Sequence, residues 1–285
     1  MRGTAISVCI AACFAVAGSI ACAASYDDFT RGYALNRAGD SDHAIEAFTA
    51  ALAAGDLAAT YVPSALYGRA AAYARKGMCP QAEVDLDNAL KLRPAYLDAM
   101  ILRAGVRDCQ NKYEDARADF DAAIKLSPTT GLYRDRGRFY WDHAKYDSAA
   151  ADFLRAVDVA PTNAYSGAQR GYALLWFAIS AARTGNIDRP LFAKHVADAD
   201  VDGWPEPLLD YFLGKLKPED LFARAARGDG PIPEQQKCEA DFYLGEWNLG
   251  HAVSGSKDLI QQAAKECPLT FVENSAARTE LNRLP

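Results

Sequence analysis

Cysteine, histidine, a serine spaced to a lysine, and carboxylates are the side chains in this sequence that could do chemistry. The cysteines are Cys9, Cys13, Cys22, Cys79, Cys109, Cys238 and Cys267. A redox pair needs Cys-x-x-Cys so that one thiolate can resolve the other, and a zinc site needs closely spaced Cys or His. Neither spacing occurs. The histidines, His43, His143, His195 and His251, are each more than four residues from the next, so no single helical turn brings two imidazoles to one ion. His143 falls near a helix-to-helix turn, where a solvated or capping role suits it. Ser254-Gly255-Ser256-Lys257 has the Ser-x-x-Lys spacing that lets lysine activate a serine, but it lies in a Gly/Ser turn without the companion motifs and reads as chance. Asp85 with Asp87, and Asp119 with Asp121, alternate around a helix and read as solvated surface. There is no Gly-rich phosphate loop, Gly-x-Ser-x-Gly elbow or His-Glu-x-x-His. The expectation is a protein that is not an enzyme, with no catalytic residue, cofactor or metal.

The chain that must position anything else has 285 residues, 50% of them hydrophobic and 11% aromatic, enough for a sizeable core. A net charge of -6 excludes a binder of nucleic-acid backbone, which needs a positive face to release counterions. Residues 1–23 read as an export signal: Arg2, an apolar stretch from Ala5 to Ala21, then Ala21-Cys22-Ala23 fitting small-x-small cleavage with Ala24 as the mature start. Lipoprotein anchoring is the weaker alternative, since Ser19-Ile20-Ala21-Cys22 has Ser where a bulky aliphatic belongs and Ile10-Ala11-Ala12-Cys13 follows a very short apolar run. No later run is long enough to span a bilayer. A periplasmic protein without a membrane span in its mature chain is expected.

A ladder runs through the first half. Ala82, Leu86, Ala89 and Pro94 recur 34 residues on as Ala116, Phe120, Ala123 and Pro128, and 33 further as Ala149, Phe153, Ala156 and Pro161. Ala44, Phe48 and Ala51 precede them at an offset of 38. Each unit carries a small residue, Gly32, Ala70, Ala104 or Gly137, twelve positions before its first Ala. The physical reading is one helix pair per unit: a small residue lets helix A approach helix B, an aromatic or Leu fills the gap, and Pro ends helix B. One pair cannot bury its apolar face, so neighbours must stack.

These residues resemble the tetratricopeptide repeat (TPR) family over about Ser25 to Asn163. Tyr172-Ala173-Leu174-Leu175-Trp176, Trp204-Pro205-Glu206-Pro207-Leu208, Cys238 to Glu246 and Cys267 to Glu273 resemble the C-terminal half of exported proteobacterial TPR proteins. More distantly, Phe242-Tyr243-Leu244-Gly245 and Phe271-Val272-Glu273 are similar to NlpI-type periplasmic adaptor lipoproteins. The resemblance implies an all-α fold, an α-α superhelix with a C-terminal helical extension, that brings envelope proteases or peptidoglycan enzymes together. The expected organisation is a signal at 1–23, repeats over 24–163 (25–58, 63–96, 97–129 and 130–163), and a helical domain over 164–285 with a degenerate repeat-like hairpin at 237–268. Helices are expected at Ala164–Arg183, Arg189–Asp198, Glu206–Leu213, Pro218–Ala226, Glu234–Leu249, Ser256–Cys267 and Thr270–Asn282, with a loop at Gly228–Pro233.

Helix order then sorts the four cysteines outside the signal. Cys79 opens helix B of repeat two and Cys109 closes helix A of repeat three; Cys238 opens one helix and Cys267 closes the next. Antiparallel neighbours bring such ends together, so Cys79–Cys109 and Cys238–Cys267 bridges are expected. Helix A lines the inner groove in TPR proteins. Carrying that over names Tyr26, Phe29, Tyr33, Arg37, Tyr67 and Arg75, then Ile101 and Asp108, then Arg134, Arg138 and Trp141 as peptide- or protein-binding candidates. Arg134 and Arg138 could hold a carboxylate, or pair with Asp135 or Asp142. The functional readings are an envelope adaptor that binds other proteins or peptides, a hydrolase with a non-motif site in the C-terminal half, and self-association as a homodimer through terminal helices.

Overall fold

The structure, a computed structural model, describes residues 24–160, 164–227 and 233–284; the export-signal region, Pro161 and nearly all of the Gly228–Pro233 loop lie outside them. Among the described residues there are fifteen helices and no strand. They fall into two compact units, Met1–Ser127 and Pro128–Pro285.

The first unit holds α1 (residues 24–37), α2 (Ser41–Ala53), α3 (Val62–Arg75), α4 (Cys79–Leu92), α5 (Leu97–Cys109) and α6 (Tyr113–Leu126). Each helix packs on the next in antiparallel succession. Pro63 and Pro80 stand in the first turns of α3 and α4, where a missing N–H costs nothing, and Asp40 caps α2 by accepting from the His43 N–H. The A-to-B turn needs a left-handed residue, supplied by Gly39 at φ +80° and Gly77 at φ +70°. The small-residue rule has a direct cause: a Cβ on Gly32 would stand 2.8 Å from the ring of Phe48, so only glycine lets α1 lie against that aromatic. Phe29, Phe48 and Leu57 form one core, and Leu86, Leu90 and Val106 another.

The second unit holds α7 (Thr130–Asp142), α8 (Tyr146–Asp158), α9 (Ala164–Thr184), α10 (Arg189–Ala199), α11 (Glu206–Phe212), α12 (Pro218–Arg227), α13 (Pro233–Gly250), α14 (Ser256–Glu266) and α15 (Val272–Leu281). These bounds lie within two residues of the helices expected from the sequence at every end. The fourth repeat, α7 and α8, belongs to this unit, so the compact division falls after Ser127 and not after Asn163. The reason is packing: α9 lies along α8 as closely as α8 lies along α7. One apolar cluster joins Trp141 and Phe153 to Trp176, Phe242 and Tyr243.

Cys79 is bonded to Cys109 and Cys238 to Cys267, with Cα–Cα separations of 6.5 and 5.1 Å, each pair tying the ends of two sequential helices. Loops of 30 and 29 residues give each bridge about 3 to 4 kcal/mol in the chain-entropy account.

Candidate functional site

In the first unit Phe29, Tyr33, Arg75 and Tyr67, four of the expected groove residues, are taken up by the fold. Phe29 is buried against Phe48, at 6.3 Å between ring centroids. Tyr33 is half-buried and donates its hydroxyl to the Ser64 carbonyl at 2.9 Å, which ties α1 to α3. Arg75 is spent on Asn36 and, at 3.2 Å, on the Ser41 hydroxyl. Tyr67 is half-buried beside Tyr96, at 5.3 Å. Tyr26 and Arg37 are exposed.

Two of the carboxylates read as solvated surface, Asp85 and Asp119, are not surface. Both are buried, because a forked arginine reaches each from helix A. Arg69 donates through Nε and Nη2 to Asp85 at 2.7 Å each, and Arg103 likewise to Asp119 at 2.9 and 2.7 Å. In the second unit Arg136 repeats the fork on Asp152 at 2.7 Å. Arg107, Lys112 and Gln110 converge on Glu83; burial alone would raise its carboxyl, but their hydrogen bonds outweigh that and bring it to about 2.

The second unit corrects two candidates on α7. Trp141 is fully buried in the core and makes T-shaped contact with Trp176 at 5.3 Å, so it is packing and not a contact surface. Arg138 is bound at 3.0 Å to Asp142, at 3.0 Å to the Val272 carbonyl and at 3.2 Å to Ser275, and lies 5.1 Å over Trp176. It fastens α15 to α7. Arg134, one turn earlier, has no hydrogen bond or ion pair among the described residues.

Arg134 lines a cavity of about 260 Å³ with Tyr172, Trp176, Glu239, Phe271, Val272 and Glu273. Tyr172 and Trp176 stand one turn apart on α9 and share a face. Glu239 comes from α13, and the segment that follows Cys267 supplies the last three. Glu239 is almost wholly buried, and its Oε2 accepts the Tyr172 hydroxyl at 2.7 Å and the Trp204 indole N–H at 2.6 Å. Burial, helped by the charge of Glu273, pushes the Glu239 carboxyl up to about 7 against the pull of those two donors. Glu273, equally buried, accepts the Tyr243 hydroxyl at 2.9 Å; burial raises it too, against that bond and the charges of Arg138 and Arg134. The cavity is thus walled by aromatic rings, carries two buried acids and has Arg134 as the single cation among its lining residues. Val272, one of the lining residues, is 49% exposed, and Leu269, two residues before Phe271 in the chain, is 79% exposed, so apolar surface of this segment is left in water.

The sequence held a signal for this cavity that was not read as a site. The four segments of the second half that carry the family resemblance supply Tyr172 and Trp176, Trp204, Glu239 and Tyr243, and Phe271 to Glu273. Every group of the cavity but Arg134 comes from them, brought together by the packing of α9, α13 and α15.

A second buried cluster serves the fold. Arg183 holds Glu246 at 3.1 Å and Glu280 at 2.7 Å, joining α9, α13 and α15. Burial, with Glu280 close by, pushes the Glu246 carboxyl up to about 8. Among the described residues no group of three or more His, Cys, Asp or Glu could hold a metal ion, and no helix is long and apolar enough to cross a membrane.

No family model matches the chain, and no curated protein matches it by sequence. Solved structures do: 67 chains are similar. A tetratricopeptide repeat protein from Parabacteroides merdae has a TM-score of 0.55 at 17% identity, covering 91% of this chain and 99% of its own. The apo form of RapI has a TM-score of 0.53 at 14% identity, over 91% and 97%. The C-terminal part of a TPR protein from Cytophaga hutchinsonii has a TM-score of 0.52 at 13% identity, over 88% and 87%. Antiparallel helix pairs stacked in sequence, at a period near 34 and in the company of these structures, give the chain the fold of tetratricopeptide repeat proteins.

Proposed function

We propose that the protein is a TPR scaffold that holds a segment of another protein in the cavity of its second unit. The observation that carries the reading is the cavity itself: an arginine with no hydrogen bond or ion pair among the described residues and two buried acids meet between aromatic walls, with apolar surface of the same segment left in water. Large aromatic and arginine side chains at a concave site are what protein recognition favours. Stacked helix pairs serve as binding surfaces because their inner faces present side chains in register. The setting we propose is the periplasm, and the partners envelope proteins such as proteases or peptidoglycan enzymes. That part rests on the export-signal reading of residues 1–23, on the bridged cysteines and on the resemblance to adaptor lipoproteins.

The test is affinity capture from the source cells with the immobilised chain. Partners lost in Phe271→Ser and Arg134→Glu but retained in Arg37→Glu and Arg75→Glu support the cavity. Retention in the first pair, with loss in the second, overturns it in favour of the first unit. A second reading, a hydrolase in the C-terminal half, draws on the same acids, since a carboxyl held near pH 7 can act as a general acid. It requires turnover by the purified protein that Glu239→Gln abolishes.

A further inference from the structure

We infer that the cavity selects a cationic side chain, lysine or arginine, carried by the partner segment next to an apolar residue. The inference rests on the binding reading above and names its chemistry.

Charge is the first reason. Glu239 and Glu273 are almost wholly buried, and neither forms an ion pair among the described residues. Buried carboxylates are normally matched by a cation, because an unmatched charge is costly out of water. Among the described residues their oxygens are held by neutral donors, the hydroxyls of Tyr172 and Tyr243, the indole of Trp204 and the backbone N–H of Glu273. Oε1 of Glu239 accepts no hydrogen bond among the described residues. Arg138 and, less strongly, Arg134 act on Glu273 by charge, but neither bonds to either acid among the described residues, and Arg138 is held by Asp142, the Val272 carbonyl and Ser275. Burial makes both carboxyls hold their protons more readily than free acids, so an entering cation takes the place of those protons; with both acids then ionised the lining carries one more negative charge than positive.

Shape and surroundings are the second. About 260 Å³ falls below the range of roughly 300 to 1,000 Å³ usual for small-molecule sites, and suits one long side chain. Tyr172 and Phe271, both partly buried and both lining the cavity, can meet an alkyl stem or the face of a cation, and aromatic faces attract ammonium and guanidinium groups. Leu269, almost fully exposed, offers contact to an apolar neighbour of the inserted residue. Arg134, whose guanidinium has five donors and no bound acceptor among the described residues, then answers the carbonyls of the segment's backbone. An acidic residue in the cavity would face two carboxylates with one arginine to answer it.

The experiment titrates the whole protein into fluorescein-labelled Ser-Gly-Leu-X-Gly-Ser peptides and reads anisotropy, with X as lysine, arginine, norleucine or glutamate. Lysine and arginine peptides should bind at least tenfold more tightly than the other two. Glu239→Gln and Glu273→Gln, which keep side-chain shape and should keep the melting transition, should remove most of that preference. Leu269→Ser should weaken the lysine and norleucine peptides alike. Equal binding of all four peptides, dependent on Leu269, would overturn the cation assignment while leaving the docking reading in place. Tightest binding of the glutamate peptide, lost in Arg134→Ala, would replace it with an acidic partner. Binding of none at the highest protein concentration reached would also overturn it, whereas failure of the docking reading shows separately as partner capture indifferent to Phe271 and Arg134.

Discussion

Arg103 and Asp119, sixteen residues apart, meet in a two-bond fork between helix A and helix B of one repeat, at 2.9 and 2.7 Å. The same spacing joins Arg69 to Asp85 and Arg136 to Asp152. A planar guanidinium matches a carboxylate in this way, and the match locks the two helices in register. In the first repeat the acid position is Ala47, and Arg31 turns to Asp28 at 2.8 Å on an exposed surface.

Asp119→Ala should therefore destabilise the first unit by about 3 kcal/mol or more, because it strands Arg103 and Arg107 with less than their complement of acceptors. Arg31→Ala, at an exposed pair, should change stability by less than about 1 kcal/mol. Chemical denaturation followed by circular dichroism distinguishes the two. Equal effects would mean that the fork contributes no more than a surface pair.

Much of this was legible beforehand. The 34-residue period, the small residue facing an aromatic, the helix map and the cysteine pairing follow from local spacing and from the antiparallel order of helices. The forks were misread as solvated surface: an arginine stands immediately before Gly32, Ala70, Ala104 and Gly137, but a carboxylate on a helix looks like surface until a partner sixteen residues away is considered. The cavity was not legible. Its groups come from positions 134 to 273, and only the packing of α9, α13 and α15 makes them neighbours. Arg134 and Arg138 share a spacing and a residue type; their fates differ because Val272 and Ser275 happen to meet one and not the other.

Stability should fall as pH rises. Glu239, Glu246 and Glu273 have carboxyls raised by burial, so the folded state binds more protons than the unfolded state between the ordinary carboxyl range and their folded values. Their favourable contribution is complete below about pH 4.5 and is lost as pH passes through about 7 for Glu239 and about 8 for Glu246. The melting temperature should decline from pH 5 to pH 8, and Glu239→Gln should flatten part of the slope. A rising curve over that interval would contradict the assignment.

Reductant should lower stability in both units. Without it, peptide mapping after alkylation should find Cys79, Cys109, Cys238 and Cys267 unmodified. Cys79→Ala with Cys109→Ala should cost about 3 kcal/mol by the loop-closure account. Four alkylated thiols in native protein would remove both bridges from the description.

Ala144 adopts φ +53° at the α7–α8 turn, the position that glycine fills as Gly39 and Gly77 in the first two repeats. A left-handed conformation costs an ordinary residue roughly 1 kcal/mol or more. Ala144→Gly should therefore raise the melting temperature of the second unit slightly, read by calorimetry; a fall of several degrees would show that the turn favours alanine.

The central claim is that the cavity of the second unit is where a partner docks. Placing a photocrosslinking amino acid at Leu269, exposed and two residues before the lining residue Phe271, and separately at Arg37, on the exposed surface of the first unit, tests it most directly in cells. The account predicts a discrete adduct from position 269 that disappears in the Phe271→Ser background, and none from position 37. An adduct from position 37 alone would contradict it.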